Sequence, residues 1–104
     1  MSAAETINDI KANLHALGAE ILQNLESLHY FSHLLSILMN DEYYANMKGT
    51  TENIRLYQQE YHRLKAEIAL DKEAYDYYKQ KLIAAGGNVQ DFEDAYWEIE
   101  EIIF

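Results

Sequence analysis

Cysteine is absent from this 104-residue chain, which removes disulfides, thiolate metal sites and cysteine nucleophiles. Proline is absent too, so no residue of that kind interrupts a helix. Bases are scarce. Eight Lys and Arg stand against eighteen Asp and Glu, a formal charge of −10, which argues against direct nucleic-acid binding. No apolar run approaches the ~18 residues of a membrane span, and no basic-then-apolar leader marks a signal peptide. These absences lead to the expectation of a cytoplasmic protein without membrane contact. The chain also lacks a Gly-x-Gly-x-x-Gly or Walker-type loop. Ser27, Ser32 and Ser36 lie in helix-like sequence with no glycine elbow around them. A non-enzymatic protein is therefore expected, with no catalytic residues and no cofactor.

What is present is apolar periodicity. Apolar residues make up 49% of the chain, enough for the core of one domain, residues 1–104. Ser2-Ala3-Ala4-Glu5 has the form of a capping box. Ile7, Ile10, Leu14, Leu17, Ile21, Leu25, Leu28, Leu35 and Leu38 follow at helical spacing. Gly18 alone costs ~1 kcal/mol, too little to break so long a helix. The first helix is thus predicted over residues 3–39. Asn40-Asp41 forms a break, a short helix or turn spans 42–47, and Gly49 stops it. Thr50 or Thr51 then caps a second long helix with a heptad seam: Ile54, Tyr57, Tyr61, Leu64, Ile68, Asp71, Tyr75, Tyr78 and Leu82. Gly86-Gly87 ends it. Asn88 or Asp91 caps a last helix to Phe104, striped by Phe92, Tyr96, Ile99 and Ile103. The predicted fold class is all-α: a long antiparallel helical hairpin with a short connecting helix and a short acidic C-terminal helix, forming a dimeric helical bundle.

The dimer expectation rests on residues 28–39, which are apolar around most of the helix circumference. Leu28, Leu35 and Leu38 suit the hairpin seam, while Tyr30, Phe31, Leu34, Ile37 and Met39 are the predicted oligomer interface.

Histidines and one aspartate stand out from this pattern. His15, Glu26, His29 and His33 share one side of the first helix, and a hairpin pairing residue 40 with about residue 50 brings His62 opposite His29. His29 and His33, at i,i+4, have a metal-binding spacing, and Glu26-x-x-His29 matches one element of di-iron bundles. The further inward glutamates and second Glu-x-x-His of such bundles are missing, so no metal site is assigned. Asp71 is the polar position of an otherwise apolar seam and reads as a register-fixing residue facing Gly18-Ala19. The nine tyrosines serve mostly as core, with Tyr43 and Tyr44 left as exposed binding candidates.

Charge supplies the functional clue. Residues 50–85 carry six acids and six bases, whereas residues 86–104 carry six acids and no base. On a helical wheel Glu93, Asp94, Glu100 and Glu101 share a face with Trp97 and Phe104. Like charges at i,i+3 and i,i+4 repel, and carboxylates near a helix C-terminus oppose its dipole. An aromatic anchor ringed by carboxylates suits a basic partner. The expected function is binding, and inhibition or regulation, of a basic and nucleic-acid-binding protein through phosphate mimicry, as phage-type inhibitors do. The partner-binding set is Glu93, Asp94, Trp97, Glu100, Glu101 and Phe104, with Tyr43 and Tyr44. One alternative is a secretion- or chaperone-type structural hairpin, although the Trp-x-Gly turn of secreted hairpins is absent. The other is a di-metal carboxylate-histidine bundle.

Overall fold

The computed structural model describes residues 6–40 and 49–92, and all elements within them are helical. Helix α1 spans Ile7–Asn40 and helix α2 spans Thr50–Ala84. A single 3-10 turn, Gln90–Phe92, follows. At 1.5 Å per residue each long helix is roughly 50 Å, and the two pack against each other as a hairpin. The 42–47 connecting helix lies outside the described residues, as does residue 93 onward of the last helix predicted from Asn88 or Asp91 to Phe104, whose described beginning is this 3-10 turn.

Both ends of α1 and the start of α2 differ in detail from expectation. Ser2 and Glu5 are outside the described residues, and α1 begins at Ile7 rather than near residue 3. A reciprocal cap formed by Thr6 and Asp9 sets that start. The Asp9 N–H donates to Thr6 Oγ1 at 3.1 Å, and the Thr6 N–H donates to Asp9 Oδ2 at 3.1 Å. Two N–H groups that a helix start leaves unpaired are thereby satisfied. At the other end α1 runs one residue past Met39, through Asn40. Gly49, not Thr50 or Thr51, is the N-cap of α2. Its carbonyl accepts the first helical bond from Asn53 at 3.1 Å, and Thr50 is drawn into the buried interior.

The seam explains why these segments are helices at all. Leu14, Ile21, Leu28 and Leu35 recur every seventh residue of α1 and are at most 1% exposed. Tyr61, Leu64, Ile68, Tyr75 and Leu82 answer them from α2. Ile54, Tyr57 and Tyr78 are partly buried against the same cluster, so the predicted heptad of α2 faces the core throughout. Burying each such side chain contributes about 1.5–3 kcal/mol, well above any single propensity term in these helices.

Asp71 is half-buried in this seam, but its partner differs from the expected one. Asn24 Nδ2 donates to Asp71 Oδ2 at 3.4 Å, in place of a position facing Gly18-Ala19. Asn24 holds the polar place in a strict three-four alternation along α1, through Ile7, Ile10, Leu14, Leu17, Ile21, Asn24, Leu28, Phe31, Leu35 and Leu38. Each helix thus carries one polar seam residue, and register brings the two together. A one-turn slip would leave both facing apolar groups, an arrangement that costs more than a simple loss of contact.

Helix α2 ends in a Schellman motif. The Gly86 N–H bonds the Ile83 carbonyl at 3.0 Å, and the Gly87 N–H bonds the Leu82 carbonyl at 2.9 Å. Gly86 sits at φ +83°, a conformation that disfavours L side chains. Gly87 is needed for a different reason. A Cβ there would lie 2.9 Å from Leu82 Cγ and closer still to Cδ1, and Leu82 is fully buried. Gly87→Ala is therefore expected to lower unfolding stability by about 1–3 kcal/mol through overpacking. Gly86→Ala, with open space around it, should cost about 1–2 kcal/mol through backbone strain alone. Urea unfolding followed by circular dichroism checks both; a Gly87→Ala chain as stable as wild type would refute the packing account.

Candidate functional site

Phe92 is the last described residue before the acidic segment, and its placement is built in three steps. The Schellman motif turns the chain off the axis of α2. Asn88 Oδ1 then accepts the Gln90 N–H at 2.8 Å, an Asx turn that starts the 3-10 turn, and the Phe92 N–H bonds the Val89 carbonyl at 2.9 Å. Asn88, one of the two predicted caps, thus caps this short turn. Finally Phe92 inserts into the core at 4% exposure. Its ring meets His15 of α1 with centroids 4.8 Å apart, and its carbonyl accepts the Tyr75 hydroxyl of α2 at 3.0 Å. The Tyr75 phenol is thereby satisfied inside the core, as a buried tyrosine requires. Among the described residues no buried side-chain polar atom lacks a partner.

Beyond Phe92, the predicted contact residues Glu93, Asp94, Trp97, Glu100, Glu101 and Phe104 lie outside the described residues, as do Tyr43 and Tyr44. The predicted oligomer face is described. Tyr30, Ile37 and Met39 are exposed, at 60%, 37% and 45%. Phe31 and Leu34 are half-buried, and Phe31 packs within the hairpin against Tyr57 with ring centroids 5.7 Å apart. A helix apolar on all sides therefore spends Phe31 on its own partner helix and turns Tyr30 and Ile37 outward.

Electrostatics on α2 are local. Arg55 binds Glu52 at 2.5 Å, and Arg63 bridges Glu60 and Glu67, the latter at 2.8 Å. These hydrogen-bonded pairs hold the Glu52 and Glu60 carboxyls below the usual range and push the Arg63 guanidinium higher. Lysines lean over the tyrosine rings: Lys65 over Tyr61 at 5.7 Å, Lys79 over Tyr75 at 6.0 Å, and Lys81 over Tyr77 at 5.2 Å. Solvent screens the ion pairs, so their value lies less in stability than in consuming charge on the helix that carries it.

The histidines make different contacts. His62 is exposed and lies edge-on to Tyr61, with centroids 5.7 Å apart, and His15 is engaged with Phe92. Glu26, His29 and His33 are exposed on α1. Among the described residues no three His, Asp or Glu side chains converge on a point, and no helix is long and apolar enough to cross a membrane. Comparison with protein-family models, with curated proteins and with solved structures returns no match to this chain.

Sequence reasoning misses one residue and one contact that matter here. Asn24 was legible as the sixth place of the three-four alternation in α1, but the neighbouring Leu25 drew the stripe instead. Tyr75 was placed in the seam, yet its hydrogen bond to the Phe92 carbonyl spans a turn whose path no periodicity encodes.

The Asn24–Asp71 pair also has a pH signature. Desolvation first, then the Glu67 charge one turn away, raises the Asp71 carboxyl above its ordinary value, and the Asn24 bond opposes this. A folded-state pKa above the unfolded one means that the folded chain binds the proton more tightly. The Asp71 contribution is therefore unfavourable at neutral pH and fades as pH falls through the raised folded value toward the unfolded one. Asp71→Asn, which keeps an acceptor for Asn24, should be more stable than wild type at neutral pH. That advantage should shrink on acidification toward about pH 4, where an ordinary Asp titrates. Urea midpoints of both chains across this range test it; an advantage that grows on acidification would contradict the assignment.

Proposed function

We propose that this chain acts by stoichiometric binding, docking on a basic, nucleic-acid-binding protein and inhibiting or regulating it by presenting carboxylates where that partner expects phosphates. Charge placement carries this reading. Helix α2 balances six acids with six bases. Nine of the eighteen acids lie outside the two long helices, accompanied by the single base Lys48. Pairing every Lys and Arg with one carboxylate would still leave ten in excess. A surplus of this kind, greatest over residues 86–104 of the sequence, steers association with a cationic partner.

In this reading residues 42–47 form a connecting helix and residues 93–104 an acidic one, whose carboxylates on successive turns stand roughly 5–6 Å apart. Trp97 is the anchor, Glu93, Asp94, Glu100 and Glu101 are its acidic rim, and Phe104 lies beside it. Tyr43 and Tyr44 are secondary contacts. The buried Phe92 supports the reading because it ties the start of the acidic segment to the rigid hairpin. The hairpin itself pairs with a second copy through residues 28–39, supported by the outward Tyr30, Ile37 and Met39.

Affinity capture on the immobilised chain identifies the partner, and two variants then test the surface. Trp97→Ala should cost at least ~2 kcal/mol of binding, as expected of a buried aromatic anchor. Reversing Glu93 and Asp94 to Lys should slow association and flatten its dependence on ionic strength. If both variants bind like wild type, the proposed surface is wrong. The dimer has its own check. Light scattering of wild type at micromolar concentration should report two chains and Leu34→Glu should report one; a wild-type monomer would exclude the pairing.

A further inference from the structure

Four histidines lie on the hairpin, and they divide into two kinds. His15 packs at a tilt against Phe92 and His62 lies against Tyr61. His29 and His33 are both exposed, and neither makes a hydrogen bond, ion pair or ring contact among the described residues. They stand one turn apart inside the uninterrupted helix Ile7–Asn40. Residues at i,i+4 share a face with Cβ atoms roughly 5–6 Å apart, the arrangement by which two imidazoles of one helix grip a single ion. On α1 itself no Lys or Arg occurs after Lys11. Glu26, three residues before His29, adds negative charge on the same side.

We propose that His29 and His33 form a bidentate chelate for a borderline divalent transition-metal ion on the outer face of α1. No third His, Asp or Glu among the described residues converges with them, so water fills the remaining coordination positions. Imidazole donors select copper, nickel and zinc over hard magnesium and calcium, and affinity rises from manganese through nickel to copper. Because the helix is held by its buried seam, the Cβ atoms that carry the two rings are already positioned. The second imidazole then binds as an intramolecular ligand at high effective concentration.

Isothermal titration of the tag-free, full-length chain with copper(II), zinc(II) and magnesium(II) chlorides tests the site. One copper ion per chain is expected, with zinc weaker and magnesium giving no binding. His29→Gln and His33→Gln should each weaken copper by at least about tenfold, because a chelate becomes a single ligand. The His15→Gln, His62→Gln double variant should bind copper like wild type. Copper should also raise the urea midpoint of wild type and not of His29→Gln, since the chelate exists only in the folded helix. Circular dichroism confirms that each variant keeps its helices, as replacement of exposed side chains should allow. The proposal fails if copper does not bind stoichiometrically, if either single variant keeps wild-type affinity, or if the double variant loses binding equally.

Discussion

Everything described in this chain depends on one apolar seam between two antiparallel helices. Neither helix buries anything by itself; each exposes a stripe that only the other covers. Leu14, Ile21, Leu28 and Leu35 on one side and Tyr61, Leu64, Ile68, Tyr75 and Leu82 on the other exclude water along most of the hairpin. A seam made of repeating heptads is degenerate, because a slip of one heptad matches apolar residue to apolar residue again. The Asn24–Asp71 bond breaks that degeneracy: a slipped register would leave an amide and a carboxylate facing hydrocarbon. The raised proton affinity of Asp71 is the cost of placing a carboxyl there.

Register in turn sets what happens at the end of α2. The Schellman motif needs Gly86 for its conformation and Gly87 for its closeness to Leu82, and Leu82 is itself a seam residue. Turn and core are thus one packing unit. From it the chain passes through the Asn88 turn to Phe92, which contacts both helices through His15 and Tyr75. The segment carrying the greatest excess of carboxylates is therefore attached at a buried, hydrogen-bonded point.

Tyrosine in place of leucine along α2 links the core to the charged surface. A tyrosine buries its ring and carries its hydroxyl toward a polar neighbour, while the exposed parts of the rings offer faces to lysine stems. With Arg55 and Arg63 paired on their own helix, α2 is electrically self-contained. Negative charge is left to other parts of the chain, and the proposed binding of a cationic surface draws on that imbalance. His29 and His33 of α1 answer to different chemistry from carboxylates, so the metal proposal and the partner proposal stand independently.

Periodicity alone determined the two long helices, the nine seam positions of α2 and the stop at Gly86-Gly87, because a stripe repeating every three and four residues can be buried only as a helix against another helix. Composition determined the charge imbalance in the same direct way. The tertiary structure decided the rest. Thr6 and Asp9 start α1 because reciprocal hydrogen bonds depend on local geometry that several Ser/Thr-x-x-acid patterns satisfy equally on paper. Asp71 meets Asn24 because heptad spacing specifies a face but leaves the longitudinal offset between two helices open.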